Sequence, residues 1–209
     1  SKMFWWRSSR IFNKCHFVKV GKKKIEILDN FKTAISSTVK SLSNSDSVEV
    51  TFGNQNIKSE KNSIKLPELE QVENKINYNQ VRAIADSESL KLRFSDKKTL
   101  KLYEPSGDIS KKLYKIAEKI RCEKIGSDCF KGVKKNIEKF YHERVNSLDL
   151  KSSEDKITAS FENYFRDKFF NYKNSKELEK KLKIYKKDLD KKFKDKINQL
   201  NNTTLDQAR

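Results

Sequence analysis

Val81-Arg-Ala-Ile-Ala-Asp-Ser-Glu-Ser-Leu-Lys-Leu-Arg-Phe94 decides the fold, because two hydrophobic periodicities compete within it. Apolar residues have helical spacing in its first half and alternate with polar residues, as in a strand, in its second half: Val81, Ile84 and Ala85, then Leu90, Leu92 and Phe94. The whole chain has two prolines and five glycines, so most of it is free to be helical. The sequence therefore predicts one helix from Asn79 to about Phe94.

Downstream of this stretch, a turn and two further helices are predicted. Pro105 and Gly107 suit a turn over 103–107, and Asp108 is a candidate cap for a helix that ends at Gly126. The apolar face of this helix is formed by Ile109, Leu113, Ile116, Ala117 and Ile120. Ser127 and Asp128 begin the next helix, whose apolar face has Phe130, Val133, Ile137, Phe140 and Tyr141.

Upstream, the pattern predicts a helix and a small β-ribbon. Asp29 or Asn30 is a candidate cap for a first helix, and the polar cluster 43–47 ends it. Apolar and polar residues alternate over 48–52 and again at 64–66, with a polar turn at 54–63 between them. A two-stranded ribbon is marginally stable alone, so it must pack on helices.

The C-terminal part predicts long amphipathic helices. Residues 152–155 are typical of an N-terminal capping region. One apolar stripe then runs through the charged segment 177–200, formed by Leu178, Leu182, Tyr185, Leu189, Phe193, Ile197 and Leu200. The stripe either packs on its own domain or binds a partner. The predicted fold class is mostly α with a small β-ribbon (α+β), extended by these helices.

The formal net charge of +18 favours an acidic partner and leaves a basic nucleic-acid- or anion-binding helical module as the alternative function. Nearly all of this charge is Lys, whereas bidentate readers of phosphate and bases favour Arg. Lys, Asn and Ile are abundant together, as an AT-rich genome would produce. We favour that origin over nucleic-acid binding.

The three cysteines have no CxxC spacing, which predicts free thiols in a reducing cytoplasm. A metallochaperone site that uses Cys122, Cys129 and His142 is a third, minor hypothesis. No stretch approaches the roughly 20 apolar residues of a membrane span. The basic, aromatic residues 1–25 are interpreted as an N-terminal extension.

Common catalytic motifs are absent from the sequence. It contains no phosphate-binding Gly-rich loop, no HExxH and no GxSxG. Neither His16 nor His142 lies beside a candidate nucleophile in a familiar pattern. A self-sufficient enzyme is therefore the weakest hypothesis, and we assign no catalytic, cofactor-binding or metal-binding residue.

An ordered series of short motifs links these elements to a known family: Val48-Glu-Val-Thr-Phe-Gly53, Ile64-Lys-Leu-Pro67, Val81-Arg-Ala-Ile-Ala-Asp-Ser87, Leu90-Lys-Leu-Arg93, Arg121-Cys-Glu-Lys-Ile-Gly126 and Gly132-Val-Lys-Lys-Asn-Ile137. In order and spacing the series resembles the N-terminal region of CobT, a subunit of the aerobic, ATP-dependent cobaltochelatase. Ile84 stands where that family commonly has His, so no role of the His is carried over to this chain.

The resemblance implies a non-catalytic scaffold or regulatory domain that acts in cobalamin biosynthesis, where cobalt enters a corrin ring. It implies docking to the AAA+ ATPase subunit and the large chelating subunit, with Mg-ATP and cobalt serving the whole complex. We expect a CobT-like domain over 26–145, a helical extension over 146–209, and no acidic linker or von Willebrand A domain within the chain. The candidate partner contacts are Arg82, Asp86, Ser87, Arg93 and Arg121.

Overall fold

The computed structural model describes residues 25–53, 62–69, 77–145, 150–171 and 176–203. The backbone divides into two compact units, 1–38 and 39–209. In the first unit, the described residues 25–38 belong to helix α1, which runs over 25–43. Asp29 and Asn30 were candidate caps for this helix, but it is already helical at 25, so that prediction is wrong. The polar cluster does end it, with Asn44 in the left-handed region at φ 54°. Residues 1–24, the bulk of the predicted extension, lie outside the described residues.

The two predicted strands form and pair in parallel. Strand β1 (Glu49–Phe52) lies beside β2 (Ser63–Leu66), with Val50 opposite Ile64 and Phe52 opposite Leu66. Parallel pairing requires a crossover connection instead of a tight hairpin turn. Of the predicted turn over 54–63, residues 54–61 lie outside the described residues and Ser63 already belongs to β2, so its C-terminal boundary was wrong.

The helices occupy most of the remaining described chain: α2 (Tyr78–Phe94), α3 (Lys97–Leu102), α4 (Asp108–Cys129), α5 (Lys131–Val145), α6 (Ser153–Phe170) and α7 (Lys176–Asn202). Helix α2 ends at Phe94 as predicted, because burial of its apolar face overrides the local alternation. Helix α4 does not stop at Gly126 but continues to Cys129, and Gly107 precedes it where Asp108 was the predicted cap. Helix α5 accordingly begins at Lys131 and not at Ser127.

Capping explains why α6 begins where it does. The Ser152 side chain accepts a hydrogen bond from the Asp155 amide, and the Asp155 carboxylate accepts one from the Ser152 amide. This reciprocal pair satisfies two of the amide donors that a helix N-terminus leaves without partners. The predicted capping region is confirmed.

Among the residues that the structure describes, two apolar clusters join the helices of the second unit. One joins the last turn of α1 to α2, α4 and α5 through Leu42, Leu90, Cys122, Val133, Ile137 and Tyr141. The other joins α4, α6 and α7 through Ile120, Phe161, Tyr164, Phe165 and Ile197. Leu189 and Phe193 also pack on the second cluster, so this part of the α7 stripe lies against its own domain. The fold class is confirmed as mostly helical with a small β-pair.

Candidate functional site

A charged network lies in the interior between α2, α4, α5 and α6. Its centre is Glu123 of α4, whose side chain is 0% exposed. Ser87 of α2 donates its hydroxyl to one carboxylate oxygen at 2.5 Å, and Arg166 of α6 donates Nη1 to the other at 2.7 Å. Both carboxylate oxygens therefore have partners, which a buried charge requires. Three helices are joined through one side chain.

Arg166 is the cation that balances Glu123, and it is as deeply buried, with 2% of its side chain exposed. Its guanidinium also donates to Glu162 at 3.2 Å and lies 3.3 Å above the centre of the Tyr141 ring. Burial acts to lower the pKa of Arg166, but the carboxylates of Glu123 and Glu162 and the nearby Tyr141 outweigh it and raise that pKa. Arg166 is a fixed positive charge that orients α5 and α6.

Asp86 forms a second buried contact, one residue before Ser87. Asn136 of α5 donates Nδ2 to its Oδ2 at 2.7 Å, and Arg82 Nε lies 3.3 Å from its Oδ1. Burial raises the pKa of Asp86 above its ordinary value, although Asn136 and Arg82 act in the opposite direction. The Ala85-Asp86-Ser87 motif thus faces the interior, with Asp86 toward α5 and Ser87 toward α4.

Arg121 caps the C-terminal end of α2. Its Nη2 donates to the Phe94 carbonyl at 2.5 Å, and Nε donates to Glu118 at 2.8 Å. The last carbonyls of a helix lack intrahelical partners and attract cations. Arg93, at the same end of α2, donates Nη1 to the Leu42 carbonyl at 3.3 Å and packs over the Phe130 ring.

Gly126 explains why α2 and α4 approach so closely. An ideal Cβ at this position would lie 2.3 Å from Leu90 Cδ2 and 2.4 Å from Cδ1. Leu90 is completely buried, so it has little room to give way. The absence of a side chain at Gly126 therefore lets the two helices cross at Leu90.

The five candidate partner contacts thus all lie on α2 or on the face of α4 that contacts it. Asp86 and Ser87 are buried, and Arg121 is largely so. Arg82 is half-buried and Arg93 is exposed. The contacts of Asp86, Ser87, Arg93 and Arg121 join different helices, whereas Arg82 pairs with Asp86 within α2 itself. Contact with a partner stays a prediction for each of the five residues.

The sequence reasoning missed Glu123, Asn136 and Arg166. A signal was present, because Glu123 follows Ile116 and Ile120 at helical spacing on the apolar face of α4. Arg166 likewise lies among the aromatic residues of α6. A charged residue in phase with an apolar stripe indicates a buried ion pair, but its partner cannot be read from one sequence.

The structure does not support the hypothetical metallochaperone site formed by Cys122, Cys129 and His142. Cys122 is buried and Cys129 is exposed, although both lie on α4. Burial, together with Glu118, raises the pKa of the Cys122 thiol, which disfavours the thiolate that binds metals. In the described ranges, no three or more His, Cys, Asp or Glu residues are grouped so that they could hold a metal ion. Nor is any helix there long and apolar enough to cross a membrane.

The fold and its buried ion pairs define a helical domain whose charged side chains join helices in its interior. The family model for cobalamin biosynthesis protein CobT matches residues 26–209, so the chain belongs to the CobT family. This match extends well beyond the motif series, through the whole of α6 and α7. Neither the comparison with curated proteins nor that with solved structures found a match.

Proposed function

We propose that this chain is a non-catalytic scaffold of an ATP-dependent cobaltochelatase, docking the AAA+ ATPase subunit and the large chelating subunit in the cytoplasm. The observation that carries the proposal is the family match over 26–209, which gives a role in cobalamin biosynthesis. Mg-ATP and cobalt serve the whole complex, and the helical domain positions one partner against the other.

The buried network supports a positioning role. Glu123 and Arg166 have their charged atoms satisfied inside the domain, so α2, α4 and α6 are held in one arrangement. Replacing a buried ion pair with apolar residues often leaves the stability unchanged or increases it. In some systems the role of the pair is instead to select one geometry. A domain of fixed shape transmits a nucleotide-driven change only if its partner makes different contacts in its two states.

The test is capture of the cognate AAA+ subunit on the immobilised chain, with and without Mg-ATP, at two salt concentrations. We expect capture that depends on nucleotide and survives moderate salt. Failure to capture the subunit in either nucleotide state, with a chain shown to be folded by circular dichroism, would overturn the proposal.

Binding of a nucleic acid or another polyanion is the second candidate, favoured by exposed lysines along α7, among them Lys183, Lys187, Lys191 and Lys194. Glu179, Asp188 and Asp195 interrupt this surface, which weakens the attraction. If phosphates were the target, the affinity for labelled DNA would fall linearly with salt on a logarithmic plot. Capture of DNA with that dependence, without capture of the ATPase subunit, would favour this candidate.

A further inference from the structure

The corner between α3 and α4 exposes apolar side chains that the fold does not use. Leu102 is 75% exposed, the adjacent Tyr103 is 56% exposed, and Ile109 in the first turn of α4 is 40% exposed. Single exposed apolar residues are ordinary, but three within eight positions of one helical corner are a candidate contact surface. We call residues 97–112 the α3–α4 corner.

Positive charge surrounds these side chains. Residues 97–115 contain six lysines and two acidic residues, with no arginine. Lys112 pairs with Glu154 and Lys115 pairs with Glu104 at 3.7 Å. Within the described part of the chain, Lys101 and Lys111 have no ion-pair partner. The corner therefore combines exposed apolar area with an exposed lysine, Lys101, and a half-buried one, Lys111, that could pair with an acidic group.

Local contacts shape the two ends of the corner, with a cap at the start of α3 and an ion pair at the start of α4. The Asp96 carboxylate caps α3 by accepting from the Lys98 and Thr99 amides, at 3.3 and 3.0 Å. Gly107, at φ 93°, supplies the backbone geometry that leads into α4. The Lys112–Glu154 pair ties the start of α4 to α6.

We propose that the α3–α4 corner docks an acidic protein segment in which apolar side chains such as Leu recur among Glu residues. The apolar residues would cover Leu102, Tyr103 and Ile109, while the carboxylates pair with Lys101 and Lys111. Nucleic acid fits less well, because readers of phosphate and bases favour Arg and residues 97–115 contain none. A membrane surface fits less well, because α3 has only six residues and offers no long amphipathic face. The inference rests on the proposed docking function, to which it adds a surface and a partner chemistry.

The direct test uses a fluorescein-labelled peptide of four Glu-Glu-Leu repeats and fluorescence anisotropy with the whole chain. We expect binding that is at least about tenfold weaker for Leu102→Ser and for Lys101→Glu. The matched controls are Ile27→Ser, at an exposed apolar site, and Lys196→Glu, at an exposed lysine on α7. Both controls are expected to bind as the unsubstituted chain does. Peptides of Glu-Glu-Ser and Lys-Lys-Leu repeats separate the apolar contribution from the charge contribution.

Equal binding by all the variants would overturn the proposed surface. Binding to phosphatidylserine vesicles or labelled DNA that requires Leu102 and Lys101, with no binding to the acidic peptide, would overturn the proposed partner chemistry. Capture of the ATPase subunit separates this inference from the function on which it rests. If the subunit is captured equally by Leu102→Ser and the unsubstituted chain, the function stands and the corner is wrong as its docking site.

Discussion

The buried network around Glu123 and the α3–α4 corner use similar residues in opposite ways. Both combine charged groups with aromatic or aliphatic side chains. In the interior, Arg166 stacks on Tyr141 and each charge has a partner within hydrogen-bond distance. At the corner, Leu102 lies in solvent and Lys101 has no ion-pair partner among the described residues. Burial turns charge into a constraint on helix geometry, whereas exposure leaves it available to a partner.

Removing the buried cation should produce the largest effect. Arg166→Met leaves the Glu123 carboxylate buried without its charged partner, which costs about 3–5 kcal/mol when one member of a buried pair is lost. Urea unfolding followed by circular dichroism measures the change. The control is Lys168→Met, whose ammonium pairs with Asp190 at 3.8 Å on the surface. Exposed pairs contribute roughly 0–1 kcal/mol, so a similar loss in both variants would contradict the contrast between interior and surface.

A substitution at the crossing of α2 and α4 should produce the second largest effect on stability. Gly126→Ala forces a methyl group against Leu90, and overpacking of this kind costs about 1–3 kcal/mol. Gly132→Ala is the matched control, because nothing lies within 4 Å of its Cβ position. That control should gain up to about 1 kcal/mol from helix propensity. Calorimetric melting temperatures are expected to shift in opposite directions. A stabilised Gly126→Ala variant would show that α2 and α4 are free to separate.

The contribution of Asp86 to folding stability should depend on pH, which tests the description of the buried region. Burial raises the pKa of the Asp86 carboxyl group above its ordinary value of 3.8. The folded chain therefore binds the carboxyl proton more tightly than the unfolded chain does. The stability that Asp86 contributes is greatest below its unfolded pKa and falls as pH rises through the folded value. The advantage of the unsubstituted chain over Asp86→Asn should therefore shrink between pH 4 and pH 7 in urea titrations. A constant or growing advantage would mean that Asn136 and Arg82 outweigh burial.

The exposed corner should show the smallest effect on folding. Leu102→Ser removes an apolar side chain that is already in solvent, so the free energy of unfolding should change by less than about 0.5 kcal/mol. The same urea titration measures it. A loss above about 1 kcal/mol would show that Leu102 supports the fold, and binding losses in this variant could not then be assigned to the surface.

Much of the helical architecture could be predicted from the sequence, because apolar periodicity and capping residues are local signals. The extent of α2 and the capping of α6 by Ser152 are examples. The boundary between α4 and α5 was misplaced, because Gly126 resembles a helix terminator although it serves a close crossing. The sequence singled out the Asp86-Ser87 motif but did not predict that its side chains face the interior. Their partners, Asn136 and Glu123, lie far away in the sequence. Long-range pairing of this kind leaves no periodic signal in a single sequence.

Amide hydrogen exchange with and without the AAA+ ATPase subunit and Mg-ATP tests the central claim most directly, since it follows both regions in one experiment. We predict that the complex slows exchange over 97–112, at the α3–α4 corner. The α4 amides around Glu123 should already exchange slowly in the free chain and change little, because the interior is fixed before docking. Unchanged exchange at the corner, together with new protection around Glu123, would contradict the account and place the response to the partner in the buried network.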